Sequence, residues 1–473
     1  MQLNNSSQIS DIVRFSENNQ GKKILILESM LWTPHLETSL EIEDVLRECN
    51  VDVCYECFYL NWDVEDRWDL LRKIYRYFSI KVIYLIFRKI KNEGVSSLLR
   101  SLAFQIRALP GTGRLDDYSL QDIDDSLYSS AMSVFKASNI DPKIYSQYEK
   151  RMRRSLGRFS KWISLCEAQY RPDYIVLFNG RFATSRLIRR FCQNKDIQYI
   201  VHERGASKNK YSLWLNSIPH DPKALGRSFF EFVQNSDETD VELAAIGEKF
   251  YAQRRSGKNK GWHSFMTEYE SEELTALIGE CVDQVIVTYF TSTEDEFKAL
   301  QQDLPPIGPL ADQLAAISSV KAICERRGYK FLLRLHPNLA NRDASERDKY
   351  SYGDHVIEPT DPISSYSLIR SSTVILTHNS QIALEAVALG KPSAYTGRTR
   401  FEDLPCVVKC RTQSDLESFI SEPYLNDVKF QSCLHFGAYL SDFGISYKYY
   451  QAKELNRGSY RGLELNTPFA WIL

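Results

Sequence analysis

Residues 373–397 read TVILTHNSQIALEAVALGKPSAYTG, and this stretch decides the fold. Positions 374–376 are apolar and predict a buried strand, positions 377–380 form a short polar loop, and a helix is expected to follow and to stop at Gly390. A strand that leads through small polar residues into a helix exposes free backbone N–H groups, which suit an anion. Glu385 lies about one helical turn further on, where a carboxylate can accept two ribose hydroxyls. The stretch therefore indicates either a nucleotide-sugar pocket or an ordinary strand–helix–strand unit that binds nothing.

The length and composition of the chain predict a globular protein with two domains. It has 473 residues, of which 43% are hydrophobic and 25% are charged, and this length exceeds what one ordinary core holds. The net charge of −2 gives no whole-protein argument for nucleic-acid binding. Residues 1–11 are polar, and no apolar run reaches the roughly 18–20 residues that span a bilayer, so we expect a cytoplasmic protein.

Two series of apolar runs alternate with helical segments, which is typical of parallel α/β sheets. The first series lies at 24–27, 51–55, 174–178 and 198–201, and the second lies at 284–289, 330–335, 374–376 and 393–395. We therefore predict an α/β protein with two Rossmann-like domains that face each other across a cleft. The expected parts are an N-terminal, acceptor-side domain at 1–265 with a helical insertion at about 60–170, a nucleotide-sugar-binding domain at 266–425, and a helical tail at 426–473 that packs back on the N-terminal domain.

Polar clusters follow directly on the predicted strands, at 179–181, 202–205, 291–295, 336–338 and 377–380. In open parallel sheets, ligands bind in the crevice beyond the carboxyl ends of the strands. Two such halves would bring these clusters together. Their convergence, more than any single cluster, argues for a binding or catalytic site.

The second half of the chain carries groups that suit phosphate and group-transfer chemistry. His336 precedes a proline that fixes an extended exit from the strand, and its imidazole can donate to a phosphate; Arg334 lies two residues back on the same strand face. Asp295 belongs to the segment FTSTEDEF, in which Ser292 and Thr293 can cap the following helix. Three consecutive acids exceed what capping needs, so one carboxylate can serve as a base or a nucleophile.

The first half of the chain carries a carboxylate beside an imidazole. Glu203 stands between His202 and Arg204, and this arrangement suits proton transfer to or from an acceptor hydroxyl; the alternative is a local ion pair with Arg204. Three further side chains follow in a polar, loop-rich stretch that extends to about 240 and can hold an anionic ligand: Lys208, Lys210 and His220.

Several enzyme classes lack their motifs here. The sequence has no Walker loop, no G-x-G-x-x-G after the first strand, no H-E-x-x-H and no G-x-S-x-G. No D-x-D follows a strand, and the cysteines do not show the spacing of a zinc site. The sequence therefore predicts that no metal ion is bound.

A basic amphipathic stretch spans residues 67–107. It holds ten Lys or Arg residues against two acids, Asp69 and Glu93, with large apolar side chains between them. Such a stretch can lie on an anionic membrane surface. The alternative is a helical insertion whose apolar side packs on its own domain and whose basic side is solvated.

Five motifs occur in an order and spacing that resemble a known group of enzymes. They are NGR at 179–181, HERG at 202–205, FTSTEDEF at 290–297, LHPN at 335–338 and NSQIALEAVALGKP at 379–392. The chain resembles bacterial capsule and lipopolysaccharide glycosyltransferases of the two-Rossmann (GT-B) architecture, and is most similar to the capsule-polysaccharide-synthesis type that includes retaining β-Kdo transferases. The resemblance covers about 170–400, and HERG with the acidic block is more specific than the last motif.

The resemblance implies roles for individual residues. Asp295 would act at the anomeric carbon, His336 would bind donor phosphate, Ser380 and Glu385 would bind phosphate and ribose, and Glu203 would serve the acceptor. In the Kdo enzymes the donor is CMP-Kdo and the carboxylate is thought to form a covalent glycosyl adduct. HERG stands where some relatives carry Glu-Asp-Gly. The remaining expected contacts are Arg334, Asn338, Asn379, Ser292 and Thr293 for the donor, and Asn179, Arg181, Arg204, Lys208, Lys210 and His220 for the acceptor or sugar, with His202 beside Glu203 in catalysis.

We therefore predict a metal-independent glycosyltransferase that needs no cofactor beyond its nucleotide-sugar co-substrate, with CMP-Kdo favoured. Its expected partners are the donor, a cell-surface polysaccharide or lipid-linked acceptor, and a polysaccharide assembly complex, but no nucleic acid. A GT-B sugar epimerase, a polyol-phosphate transferase and a non-catalytic scaffold that binds nucleotide-sugar or glycan stay open as alternatives. Peripheral contact with the inner face of the membrane would run through 67–107.

Overall fold

The apolar runs of the sequence assemble into two separate, mainly parallel sheets. The computed structural model describes residues 8–58, 80–109, 118, 120–135, 140–258, 268–269, 271–279, 284–293, 297, 300–301, 303–341, 347–350 and 356–465. They divide into two units: unit 1 combines Met1–Pro219 with Phe443–Leu473, and unit 2 is His220–Asp442. The sequence had predicted boundaries at 265 and 425 instead. Each unit is an α/β fold on a sheet of parallel strands, which confirms the predicted fold class.

The strands of the described residues are β1 (Gln8–Ile9), β2 (Lys23–Glu28), β3 (Asp52–Cys57), β4 (Tyr174–Phe178), β5 (Gln198–Arg204), β6 (Lys210–Leu215), β7 (Ile286–Phe290), β8 (Lys330–Arg334), β9 (Val356–Ile357), β10 (Val374–Thr377), β11 (Ser393–Tyr395), β12 (Val408–Lys409), β13 (Ile445–Ser446), β14 (Tyr450–Glu454) and β15 (Arg457–Tyr460).

The helices of the described residues are α1 (Ile12–Asn18), α2 (His35–Glu48), α3 (Ile80–Glu93), α4 (Val95–Ala108), α5 (Leu120–Phe135), α6 (Pro142–Tyr170), α7 (Ala183–Lys195), α8 (Pro222–Asn235), α9 (Asp240–Arg255), α10 (Glu272–Gly279), α11 (Gln313–Arg327), α12 (Ser365–Ser371), α13 (Ile382–Ala388), α14 (Gln413–Ser421) and α15 (Asp427–Asp442). Helices α3 to α6 form the predicted helical insertion.

Both sheets align the carboxyl ends of several strands. In unit 1 the order is β1-β6-β5-β4-β2-β3, with β2, β3, β4 and β5 parallel and β6 antiparallel to β5, β1 and β13. In unit 2 the order is β12-β11-β10-β7-β8-β9, and every pairing is parallel. Such strands are buried on both faces, which is why they appear in the sequence as short continuous apolar runs.

The stretch that follows HERG is more regular than the sequence predicted. Instead of a polar, loop-rich region up to about 240, it contains β6 and α8, and α9 begins at Asp240. Strand β6 buries Tyr211, Leu213 and Trp214, so its pattern is that of a strand covered on both faces. The starts of the two helices are marked by local signals that the sequence carried, because Asp221 caps α8 and a capping box of Thr239 and Glu242 begins α9.

The C-terminal segment is held to α2 by a buried carboxylate and is not a helical tail throughout. Helix α15 ends at Asp442, and the following residues form β13 and the β14–β15 hairpin. Glu41 of α2 accepts hydrogen bonds from three consecutive backbone N–H groups, those of Lys448, Tyr449 and Tyr450, at 2.5, 3.0 and 3.1 Å. Three N–H groups that point at one oxygen pair require a turn-like backbone, which a helix cannot supply at its centre.

Helices α9 and α15 approach each other closely because glycines lie at their contact. A Cβ atom at Gly247 would lie 1.8 Å from the carbonyl oxygen of Leu434, and one at Gly437 would lie 2.6 Å from the ring of Tyr251. Only a residue without a side chain permits this contact. The position of the last turn of α9 therefore depends on it.

We expect Gly247→Ala to destabilise unit 2 by about 2–3 kcal/mol, because the added methyl group meets a backbone carbonyl that cannot rotate away. The melting temperature should fall by roughly 5–10 °C in differential scanning calorimetry. The matched control is Gly279→Ala at the end of α10, where a Cβ meets no atom within 4 Å. Equal melting temperatures for Gly247→Ala and the wild type would contradict the close contact.

Candidate functional site

Unit 2 contains a cavity of about 410 Å³ beyond the carboxyl ends of its central strands. Its walls come from the loops after β7, β8, β10 and β11 and from helices α9, α12 and α13. The lining residues are Arg254, Phe290, Thr291, Ser292, Thr293, Phe297, Arg334, Leu335, His336, Pro337, Ser365, Tyr366, Asn379, Ser380, Gln381, Ile382, Glu385, Arg400 and Phe401. The volume lies within the range of small-molecule sites, about 300–1,000 Å³.

The register of the sheet brings the predicted loops to one level. Thr377 at the end of β10 lies opposite Phe290 of β7, and Phe290 lies opposite Arg334 at the end of β8. The three polar loops therefore begin side by side. This confirms that the clusters around positions 292, 336 and 380 meet at one edge of the sheet.

The loops are tied to one another by hydrogen bonds. Gln313 of α11 clamps Ser292, accepting from its N–H at 2.8 Å and donating to its carbonyl at 3.2 Å. The Ser292 hydroxyl then accepts from the N–H of Asn379 at 3.1 Å, while the Thr291 hydroxyl accepts from the N–H of His336 at 2.9 Å. These bonds hold the lining groups in place before any ligand arrives, which is the arrangement that favours tight binding.

His336 is oriented by a backbone contact. Its Nδ1 accepts a hydrogen bond from the N–H of Asn338 at 3.1 Å. A neutral imidazole with an accepting Nδ1 carries its proton on Nε2, so Nε2 is the donor that His336 can offer to a ligand. The Asn338 side chain is exposed and is not among the lining residues of the cavity. The structure therefore does not place it where the expected contact with the donor would need it.

Ser380 lies just before the short helix α13, and its hydroxyl accepts from the N–H of Ile382 at 3.3 Å. The helix is seven residues long and ends at Ala388, before the predicted end at Gly390. Asn379 and Ser380 both line the cavity. They therefore reach the cavity as polar loop residues.

A buried ion pair crosses one wall of the cavity. Arg254 contacts Oε1 of Glu385 through both Nε and a terminal nitrogen, each at 2.7 Å. Burial would lower the pKa of Arg254, but the Glu385 carboxylate raises it above its ordinary value. With Oε1 engaged in this way, Oε2 is the oxygen of Glu385 that can meet a ligand. The sequence predicted Glu385 but missed its partner.

Two further arginines line the cavity. Arg334 is buried, and it donates to the carbonyl of Glu358 at 2.5 Å; burial lowers its pKa, which the nearby Asp361 partly offsets. Arg400 lies on the loop after β11 and was missed by the sequence analysis. Among the described residues, the lining thus carries three guanidinium groups and one carboxylate.

The loop that carries Arg400 is held by Arg411. Arg411 donates to the carbonyls of Thr396 and Gly397 at 2.8 and 2.5 Å. Gly397 lies directly on the ring of His378, where a Cβ atom would approach within 2.6 Å. Burial lowers the pKa of His378 to about 4, with Asp312 and Arg411 acting in opposite directions. His378 is therefore a neutral structural residue beneath the cavity.

Glu203 lies in a separate polar cluster in unit 1, and its imidazole neighbour is not the predicted one. It accepts hydrogen bonds from the side-chain amide of Asn179 at 2.6 Å and from the N–H of Arg204 at 3.0 Å. Nδ1 of His35 lies 3.9 Å from Oε1 of Glu203. Burial, together with the charge of Arg204, holds the pKa of His35 well below its ordinary value, so this imidazole is neutral.

His202 pairs with Ser39 of α2, one helical turn from His35, the imidazole that lies beside Glu203. The His202 ring is buried, its Nε2 is paired with the Ser39 hydroxyl at 3.0 Å, and burial lowers its pKa to about 3. The sequence places His35 after β2, at the start of α2, but only the folded sheet shows that its ring lies near Glu203.

The residues that were expected to contact the acceptor lie in different surroundings. Arg204 donates to the side chain of Asn456, and Lys208 donates to the carbonyl of Lys453, so both are engaged by the β14–β15 hairpin. Lys210 begins β6 opposite Ser446. Arg181 stacks on the Phe182 ring at 4.7 Å, and His220 is buried in unit 2.

Asp295, the expected catalytic carboxylate, lies outside the described residues. Its neighbours Ser292 and Thr293 line the cavity of unit 2. Across the part of the chain that the structure describes, no group of three or more His, Cys, Asp or Glu side chains is placed to hold a metal ion.

Comparison with protein-family models and with curated proteins gives no match. Among solved structures, the chain is similar to KpsC of Thermosulfurimonas dismutans, a β-Kdo 2,4 transferase, at 12% identity over 55% of this chain and 78% of that chain, with a TM-score of 0.37. It is also similar to the β-Kdo 2,7 transferase of KpsC from the same organism, at 12% identity over 68% of this chain and 87% of that chain, with a TM-score of 0.34. A third similar structure is the UDP-GlcNAc 2-epimerase of Methanocaldococcus jannaschii, at 10% identity over 88% of this chain and 99% of that chain, with a TM-score of 0.27. Matches at this level say nothing about individual residues.

Acid should destabilise unit 2 through His378. Its pKa of about 4 in the folded protein lies below the ordinary value of about 6.5 in the unfolded chain, so only the unfolded state binds a proton between these values. The free energy of unfolding then decreases as the pH falls from about 6.5 to about 4, by at most roughly 3 kcal/mol. In calorimetry, His378→Gln should show a flatter fall of melting temperature over this pH window than the wild type. Identical slopes would contradict this role of the buried ring.

Proposed function

We propose that the chain is a metal-independent glycosyltransferase that binds a nucleotide-sugar donor in the cavity of unit 2. The observation that carries the proposal is the combination of donors and one carboxylate in a single cavity. His336, Arg400 and the loop residue Asn379 offer hydrogen bonds to a phosphate, and Glu385 offers an acceptor to a ribose. A nucleotide presents both groups at once, whereas an inorganic anion would leave the carboxylate facing like charge.

The guanidinium groups explain how phosphate charge is balanced without a metal ion. Arg254, Arg334 and Arg400 line the cavity and are partly or fully withdrawn from water, where their field is screened less than at a surface. A departing phosphate carries more charge than the bound donor does, so fixed cations and a neutral imidazole donor favour its release. The role of a metal Lewis acid in other transferases is supplied here by arginine.

The motif resemblance favours CMP-Kdo as the donor and a cell-surface polysaccharide or its lipid-linked precursor as the acceptor, within an assembly complex. In this mechanism Asp295 attacks or flanks the anomeric centre. Glu203 takes the acceptor proton, and its partners Asn179 and His35 hold the carboxylate in place. His202 takes no direct part in this proposal, because its ring is buried and paired with Ser39.

We expect nucleotides to stabilise the wild-type protein against heat, because a ligand that binds only the folded state raises its melting temperature. A thermal-shift screen with CMP, UDP, GDP and dTDP should show one preferred nucleotide, and at about a hundredfold its dissociation constant the gain is about 2.7 kcal/mol. His336→Ala should weaken binding of that nucleotide at least roughly tenfold, since it removes a donor to charged phosphate.

The matched control for His336→Ala is Asn338→Ala, which lies two residues away and keeps the backbone N–H that orients the imidazole. It should bind the nucleotide within about twofold of the wild type. Absence of any shift with all four nucleotides would refute the proposed cavity ligand. Equal losses in the two variants would show that the effect comes from the loop and not from the imidazole.

Asp295→Asn should abolish sugar transfer while nucleotide binding is kept, because the amide cannot act as a nucleophile or charge stabiliser at the anomeric centre. Glu294→Gln, the neighbouring acid, is the control and should retain activity. Transfer is followed by mass spectrometry of the glycan product with purified donor and acceptor. Undiminished transfer by Asp295→Asn would remove the centre of the proposed mechanism.

The same assay separates the alternative functions. A sugar epimerase would change the nucleotide sugar without any acceptor, and a polyol-phosphate transferase would add a phosphate-containing group to the product. A scaffold would bind the nucleotide with no turnover in any variant. Each outcome overturns the transferase and keeps a defined ligand for the cavity.

A further inference from the structure

Helix α4 of unit 1 is amphipathic in the opposite sense to an ordinary surface helix. Its inward face includes three polar side chains, Ser97, Ser101 and Gln105, all of which are buried. They are fixed by specific contacts: Ser97 donates to Glu93, Ser101 to Glu56 and Gln105 to the carbonyl of Cys57, each at 2.8 Å. These hydrogen bonds fix the rotation of the helix about its axis and therefore determine which residues face outward.

The outward face of α4 is apolar. At about 100° per residue, five large side chains fall within a sector of about 80°. Between 41% and 64% of each is exposed. They are Val95, Leu99, Leu102, Ile106 and Leu109. We call this set the outer stripe. Single exposed apolar residues are common, but a continuous stripe opposite a polar inner face marks a surface that meets an apolar partner.

The cations of the preceding helix are largely used inside unit 1. Lys81, Arg88 and Lys89 of α3 bind buried groups, among them the carbonyl of Leu31 at 2.5 Å, Glu43 at 2.8 Å and Glu56 at 2.9 Å. The sequence left open whether the basic side of 67–107 is simply solvated, and for these three side chains it is not. Residues 67–79 lie outside the described residues.

The remaining cations of residues 80–109 are Lys91, Arg100 and Arg107. Arg100 and Arg107 both fall about 120–140° around α4 from Val95, so they share one flank of the helix. The only acid between 80 and 109 is Glu93, which is turned inward and paired with Lys89 and Arg47. An apolar stripe on a helix that carries two cations on one flank and no exposed acid complements the acyl chains and phosphates of an anionic lipid surface.

We propose that the outer stripe of α4 lies in the interfacial layer of a bilayer that contains anionic phospholipid, with Arg100 and Arg107 at the level of the lipid phosphates. No helix among the described residues combines the length and apolar composition that crossing a bilayer requires. The contact is therefore one that lies along the surface. It goes beyond the proposed transfer reaction and does not depend on it, because it needs neither donor nor acceptor.

The test is flotation of the full-length protein with phosphatidylglycerol-containing vesicles and with pure phosphatidylcholine vesicles. We expect binding to the anionic vesicles at low salt and weaker binding at high salt, since the cationic part of the contact is screened. Leu99→Ser/Ile106→Ser should lose binding at least roughly tenfold, because two exposed apolar anchors are removed. Arg100→Gln/Arg107→Gln should lose the preference for anionic lipid while keeping the folded state.

The matched control is Val241→Ser/Val428→Ser, which removes two exposed apolar side chains from unit 2 and should bind vesicles like the wild type. All four changed positions of α4 are at least partly exposed, so circular dichroism melting curves should stay within a few degrees of the wild type.

Three results would overturn the proposal. The first is absence of flotation with anionic vesicles at low salt. The second is equal flotation of the wild type and both α4 variants. The third is a dimer in light scattering that Leu99→Ser/Ile106→Ser converts to a monomer, which would assign the outer stripe to a second copy of the chain.

Discussion

The ion pair between Arg254 and Glu385 is the contact on which the cavity of unit 2 depends. The two residues are 131 positions apart in the sequence, and both are nearly buried. Removing one partner of such a pair leaves an uncompensated charge and costs about 3–5 kcal/mol. The pair thereby fixes the carboxylate at the sheet edge to helix α9, and the glycine contact of α9 with α15 fixes that helix in turn. The carboxylate that lines the cavity is thus positioned from outside the parallel sheet.

The same wall of unit 2 is rigid for a second reason. Thr291, Ser292, His336 and Asn379 are linked by hydrogen bonds through backbone groups, and Gln313 anchors them from below. Loops that carry polar side chains usually lose conformational freedom when a ligand binds. Here the loops have already lost that freedom when the protein folds. Hydrogen-bond donors fixed in advance stabilise developing charge more effectively than mobile ones do, which suits the release of a phosphate leaving group.

The two units share one architecture but differ in the charge of the polar groups that follow their strands. In each, polar groups follow the carboxyl ends of parallel strands, but the described lining of the unit 2 cavity carries three arginines, whereas the described cluster of unit 1 centres on the carboxylate of Glu203. Glu203 is held by neutral partners, and the cations near it in sequence, Arg204 and Lys208, are occupied by the β14–β15 hairpin.

The sequence by itself determined the α/β class and the central parallel strands of both units. Short apolar runs followed by polar clusters are typical of buried parallel strands with polar ends, so His336, Ser380, Glu385 and Ser292 were predictable from local pattern alone. Only the tertiary structure decided which groups meet them. Arg254 reaches the cavity from a helix before the first strand of unit 2, and His35 lies beside Glu203 because the fold brings the start of α2 to the end of β5. The outward rotation of α4 was likewise set by contacts with Glu56 and Cys57, which no periodicity within the helix records.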